Sequence, residues 1–140
     1  MKVLGFNFPD DLLYDTEKHV WIRIENDNVI SIGITDLGQY MAGKIFQVTV
    51  KNKGEKISSR TIIFSLESAK WVGKIRLPIE GEVLDVNDKV IKDPSLLNQS
   101  PYDNWIVKVK VDDVSTVKNK FKTINEAYKQ FEEEAKRIAR

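Results

Sequence analysis

Residues 61–79 alternate apolar and polar side chains with a period of two, and the pattern breaks once, at Ser68-Ala69-Lys70. Ile62, Phe64 and Leu66 fall on one face of the first run, and Ile63, Ser65 and Glu67 on the other. Trp71, Gly73, Ile75, Leu77 and Ile79 share a face of the second. Period two excludes an amphipathic helix and predicts two strands, and a connection this short allows only a tight antiparallel hairpin. Pro78 comes near the end of the second run, where a missing donor is tolerated. Further short runs repeat the signal. His19 to Glu25 and Val29 to Ile34 flank the turn Asn26-Asp27-Asn28, and Ile45 to Val50, Val83 to Val86 and Trp105 to Val111 follow. Many short strands at close spacing predict a mainly β chain, a sandwich or barrel with peripheral helices.

The helices are few. Thr35 is an N-cap for a short helix with Leu37, Tyr40 and Met41 on one face and Gly43 at its stop. Asp93-Pro94 reads as N-cap and first residue of one or two turns through Leu97. Beyond Val111 the spacing turns helical at Val114, Val117 and Phe121. Thr123 and Glu126 form a capping box, and Ile124, Tyr128, Phe131, Ala135 and Ile138 make one apolar stripe expected to pack on the chain's own core. We expect a single domain over residues 1–140, with a core of about 14–111 and a helical extension of about 113–140.

Little catalytic chemistry is available. The chain has no cysteine and one histidine, His19, so thiolate metal sites, iron–sulfur clusters, cysteine nucleophiles and multi-histidine metal sites are excluded. Phosphate-binding loops and nucleophile elbows are absent from the sequence. Asp10-Asp11 and Asp112-Asp113 begin loops or helices, where acidic caps are common. A net charge of +1 argues against a nucleic-acid binder. No apolar run is long enough to span a membrane, and Pro9, Asp10 and Asp11 follow Met1–Gly5 too soon for a signal peptide. The expectation is a cytoplasmic monomer. What stands out is Glu67-Ser68-Ala69-Lys70-Trp71. A lysine at a hairpin tip, its stem held clear of the backbone, suits an enzyme that must reach one lysine and ignore the rest. Taken alone, an exposed hairpin lysine is also an ordinary solvated charge.

Five segments in order resemble the H protein of the glycine cleavage system, a lipoyl carrier family. His19-Val20-Trp21-Ile22-Arg23 is similar to H-E-W-V-R, and Gly33-Ile34-Thr35-Asp36-Leu37-Gly38-Gln39 to G-I-T-D-x-A-Q. Glu67-Ser68-Ala69-Lys70 is similar to E-S-V-K. Pro78, Gly81 and Asn87 fall at the family's spacing, and Leu97-Asn98, Pro101-Tyr102 and Trp105 are similar to L-x-N-x-x-P-Y-G-x-G-W. The resemblance covers about Tyr14 to Val111. It implies a barrel-sandwich hybrid fold, lipoyl-domain-like, with short peripheral helices and a C-terminal helix. It also implies a covalent lipoate on Lys70, with Glu67, Ser68 and Trp71 beside the attachment point.

The resemblance further implies a carrier, not an enzyme. Glycine decarboxylase loads an aminomethyl group onto the arm, aminomethyltransferase unloads it, and dihydrolipoamide dehydrogenase reoxidises the dithiol. A lipoate ligase or lipoyl-transfer enzyme attaches the arm, which reaches roughly 14 Å from Cα by counting bonds. The family shelters the loaded arm in a groove, for which His19, Asp36 and Glu67 are polar candidates. Two departures bear on the cargo. Trp71-Val72-Gly73 replaces the usual small residues after the lysine, and Tyr102-Asp103-Asn104-Trp105 is one residue short of the pattern and lacks its glycines. K-W-V-G also follows the lysine in lipoate-binding proteins of sulfur-oxidising systems, so a carrier of sulfur intermediates is the alternative, and an unmodified interaction paralogue a third. Trp71 either covers the end of the core or offers an aromatic surface to a partner or the arm.

Overall fold

A computed structural model describes residues 1–138. Ala139 and Arg140, the end of the expected helical extension, lie outside the described residues. The strands are β1 (Lys2–Val3), β2 (Phe6–Asn7), β3 (Leu13–Asp15), β4 (Val20–Asn26), β5 (Val29–Ile34), β6 (Ile45–Val50), β7 (Lys56–Ile57), β8 (Phe64–Ser68), β9 (Trp71–Ile75), β10 (Gly81–Val86) and β11 (Val107–Val111). The helices are α1 (Asp36–Ala42), α2 (Asp88–Lys92), α3 (Leu96–Gln99), α4 (Val114–Lys120) and α5 (Ile124–Arg137). A six-stranded sheet runs β3-β4-β5-β11-β10-β7 and a three-stranded sheet runs β6-β8-β9; β1 and β2 pair separately. Every pairing is antiparallel.

The two larger sheets enclose the main core. Ile22, Ile30, Val83 and Val109 from one meet Val48, Phe64, Leu66 and Ile75 from the other in one buried cluster. A second cluster forms outside the six-stranded sheet. There Phe6, Phe8, Tyr14, Trp21 and Leu37 receive Ile124, Ala127, Phe131 and Ala135 of α5. Phe131 stacks on Phe8 at 4.4 Å and meets Tyr14 edge-on at 5.7 Å. The expected packing of the C-terminal helix on its own core is observed, and the Thr123–Glu126 capping box is formed on both sides. Because both faces of β5 are covered, Ile30 to Ile34 are all buried, and the buried Ser31 hydroxyl donates to Glu25.

Several expectations need correction. His19 precedes its strand instead of opening it, with φ +57. The hairpin's first strand starts at Phe64 because Thr61 to Ile63 bend into the sheet, where Ile63 is the buried residue and Ile62 is not. Its second strand ends at Ile75, although burial continues to alternate through Leu77 and Ile79. Asp93 caps the C-terminus of α2, a helix that begins at Asn87, and the following helix takes Ser95 as its N-cap. The Asn87 side chain wins the N-cap by accepting from the Lys89 amide while donating to the Trp105 carbonyl. Tyr40 leaves the buried face of α1 and meets Phe6 edge-on. The N-terminal strands β1 to β3 carry too few residues for a periodic signal.

Gly33 allows a close approach between β4 and β5. A Cβ there would stand 2.4 Å from Cζ2 of Trp21, a fully buried indole whose Nε1 donates to the Pro101 carbonyl. Gly33→Ala should lower the unfolding free energy by about 1–3 kcal/mol, the usual cost of overpacking. Urea denaturation should show a shifted midpoint at unchanged slope; an unshifted midpoint would mean that the indole yields.

Candidate functional site

Ser68 and Trp71 are Cα partners, so Ala69 and Lys70 alone form the turn between β8 and β9. Neither turn residue has a positive φ, which departs from the primed turns usual in two-residue hairpins. The tip is held from below instead. Ser68 is buried, and its hydroxyl donates to the Ala42 carbonyl at 2.6 Å, tying the hairpin to the end of α1. Ala69 and Lys70 are exposed.

The end of α1 is itself clamped. Thr35 caps the helix start by accepting from the Gly38 amide, and Gly43 terminates it at φ +76. Asn98 of α3 then reaches across. Its Oδ1 accepts from the Ile45 amide at 2.9 Å, and its Nδ2 donates to the Gly43 carbonyl at 2.8 Å. The bare Cα of Gly43 matters for the lysine. A Cβ there would come 2.9 Å from Cε of Lys70, so the stem lies across Gly43. The expected stem standing clear of the backbone is therefore corrected: it follows the polypeptide at the end of α1. Lys70 makes no hydrogen bond or ion pair among the described residues.

Beside the tip opens a groove of about 370 Å³. Met41, Leu66, Trp71 and Gly73 form apolar wall, and His19 and Glu134 close the far side. Glu134 comes from α5, brought there by the Phe131 stack one turn earlier. The His19 imidazole is largely buried; its Nε2 stands 3.4 Å from Glu134 Oε1, and its Nδ1 is buried without a partner. Burial pushes the His19 pKa down, and the hydrogen bond and charge of Glu134, with the charge of Asp15, only partly oppose it.

Of the groove candidates named from sequence, only His19 lines it. Asp36 accepts from the Asn7 amide and from the Gln39 side chain, which is capping chemistry away from the groove. Glu67 is half-buried on the opposite face of its strand from Leu66 and Ser68, in register with Gln47 and Val72. Ser68 faces inward and supports the turn. Trp71 is 39% exposed, lines the groove and belongs to neither buried cluster. Met41, Gly43, Asn98 and Glu134 were missed as site residues. Only the Asn in Leu97-Asn98 carried a sequence signal, and its spacing says nothing about the end of α1.

Among the described residues no group of three or more His, Cys, Asp or Glu can hold a metal ion, and no helix is long and apolar enough to cross a membrane. The residues present suit a long acyl-lysine. The stem has a bare glycine to cross, and an apolar-walled groove lies within reach of its end.

Three substitutions follow from this geometry. Ser68→Ala should cost about 1–3 kcal/mol, because the buried Ala42 carbonyl loses its donor. Trp71→Ala should cost well under the roughly 3 kcal/mol of a core tryptophan. Because folding lowers the His19 pKa, the unfolded chain binds a proton more readily below the ordinary value of 6.5. Stability should then fall as pH drops below that value and level off once the folded pKa is passed. His19→Gln should flatten this slope in denaturation series; an unchanged slope would place the titration elsewhere.

Residues 12–134 match the family model described as "Glycine cleavage H-protein". The "Probable glycine cleavage system H protein 3" of Saccharolobus solfataricus is 68% identical over 140 residues, covering all of both chains. A protein of the same description from Sulfolobus acidocaldarius is 62% identical over 139 residues, covering 99% of this chain and 95% of its own. The crystal structure of a glycine cleavage system H protein from Mycobacterium marinum superposes with a TM-score of 0.78 at 26% identity, covering 88% of this chain and 98% of its own. The mainly β, lipoyl-domain-like barrel-sandwich architecture expected from the sequence is thus borne out. With the family model, the full-length relatives and the fold in agreement, the chain belongs to the glycine cleavage H-protein family.

Proposed function

We propose that residues 1–140 form a single lipoyl-carrier domain that bears lipoate in amide linkage on Lys70 and shuttles the aminomethyl group of glycine from glycine decarboxylase to aminomethyltransferase. Dihydrolipoamide dehydrogenase and a lipoate ligase or lipoyl-transfer enzyme complete the set of partners, and the protein works as a cytoplasmic monomer. The observation that carries this reading is the presentation of Lys70: an amine without a hydrogen bond or ion pair among the described residues, at a two-residue tip, its stem laid over Gly43 beside an apolar-walled groove. When bound, the lipoyl group supplies a disulfide–dithiol couple at the end of a long tether.

The chain's own residues position that tether. Ser68 fixes the tip to α1, and Asn98 fixes the backbone under the stem. Tethering raises the local concentration of the carried group at each partner. Glu67 stands on the outer face of the hairpin, where an enzyme reaching Lys70 must pass. Its part is recognition, and no contact of its own holds the turn.

Peptide mapping after reaction with lipoate and a ligase should find the adduct at Lys70 and lose it in Lys70→Arg. An adduct on another lysine with Lys70 bare would overturn the assignment. Glu67→Ala should slow the attachment while changing stability by no more than about 0.5 kcal/mol, as at a surface site. Efficient loading of the lipoylated protein by glycine decarboxylase is expected. Failure with a competent decarboxylase from the same organism would overturn the cargo and leave the carrier role standing.

A further inference from the structure

Gly73 pairs regularly with Leu66 and has no positive φ, so neither the ladder nor the backbone conformation demands glycine there. The demand comes from a neighbour. A Cβ at Gly73 would fall 2.0 Å from Cη2 and 2.2 Å from Cζ2 of Trp71, so the distal edge of the indole occupies the space that a side chain would fill. Trp71 points to the inward face with Gly73 and Ile75, yet 39% of it remains exposed. A large apolar ring held in one place and left partly in water, at the wall of a groove, is a surface in want of an apolar partner. The nearest group able to supply one is attached to the preceding residue. The stem of Lys70 already runs over Gly43, next to Ala42 and Met41 of the same groove wall.

We propose that Trp71, seated on Gly73, is a positioning residue for the arm: the platform on which the terminal disulfide ring of a lipoylated Lys70 packs when the arm folds back into the groove. The proposal rests on the carrier reading and adds to it the residue pair that holds the arm at rest. Sulfur against an aromatic ring is a favourable contact, and Met41 and Leu66 complete the apolar surround. At rest the disulfide is shielded from small solutes, and a partner must draw the arm off the indole to use it.

The chain contains no cysteine, so the arm is the only disulfide a reductant can open. Lipoylated protein is prepared and the adduct on Lys70 confirmed by intact mass and peptide mapping. Tryptophan emission is then followed during reduction by a water-soluble phosphine. A disulfide in contact with an indole quenches it, so emission of the wild type should rise on reduction. Trp21 is fully buried, and Trp105 lies under the Lys108 ammonium, so neither should respond. Trp71→Phe should abolish the rise. Gly73→Ala should remove most of it with all three tryptophans present, because the new methyl displaces the ring. In Trp71→Ala the arm should be reduced roughly fivefold faster, the loss of one aromatic contact. With the adduct in place, no rise in the wild type, or an equal rise in Trp71→Phe, overturns the platform and leaves the carrier. An absent adduct overturns the carrier reading, and the platform with it.

Discussion

The Ser68 hydroxyl donates to the Ala42 carbonyl, and the placement of Lys70 depends on that bond. A two-residue turn without positive φ has little to fix its own direction, since its twist does not match that of the flanking strands. The bond supplies the missing constraint by joining the last residue of β8 to the last residue of α1. It is buried, so losing it would leave a carbonyl without water or partner. The same helix end is gripped from the other side by Asn98, which satisfies the Gly43 carbonyl and the Ile45 amide together. Residues from three separate segments thus converge under one lysine. None of them makes a hydrogen bond or ion pair with its ammonium.

The groove has a different origin. One wall belongs to the hairpin and α1, and the far side to His19 and Glu134, which are 115 residues apart in sequence. What brings Glu134 to His19 is aromatic packing, since Phe131 wedges between Phe8 and Tyr14. The Tyr14 hydroxyl donates to the Pro9 carbonyl, and burial pushes its pKa far up, so the ring stays neutral and packs as an apolar group. The N-terminal strands therefore serve the site without contributing a groove residue: they form the seat for α5. A mutation in this second cluster would open the groove from a distance.

Where the sequence pattern coincided with burial on one side only, it could be read directly. α1 and α5 lie where Thr35, Gly43 and the Thr123–Glu126 box put them. Reading failed where two demands overlapped. β4 buries Val20, Trp21 and Ile22 in succession because each of its faces meets a different core, and His19 is pulled out of the strand by φ +57. Asp93-Pro94 carried a helix-start signal, but Asn87 starts a helix earlier and Asp93 is consumed as its end. At the site, Lys70, Ser68 and Trp71 were visible because the hairpin is local. Gly43, Asn98 and Glu134 were not, because their roles arise from contacts between segments that no spacing records.

Several of the motifs that led to the family turn out to hold the frame. Trp21 donates to Pro101, Arg23 lies over Trp21 and donates to the Tyr102 carbonyl, and the Tyr102 hydroxyl accepts from the Asp36 amide. Asn87 bridges α2 to Trp105. These contacts join the first hairpin to the segment after α3, and α3 itself brings Asn98 to the base of Lys70. The shortened Tyr102-to-Trp105 stretch is accommodated because Asn104 turns inward and donates to the Leu96 and Ser100 carbonyls, closing the end of α3. The departure from the family pattern is absorbed locally, away from the lysine. The departure at Trp71-Val72-Gly73 is not: its indole stands in the wall of the groove itself. A change in that wall is a change in the shape and polarity of the groove beside Lys70.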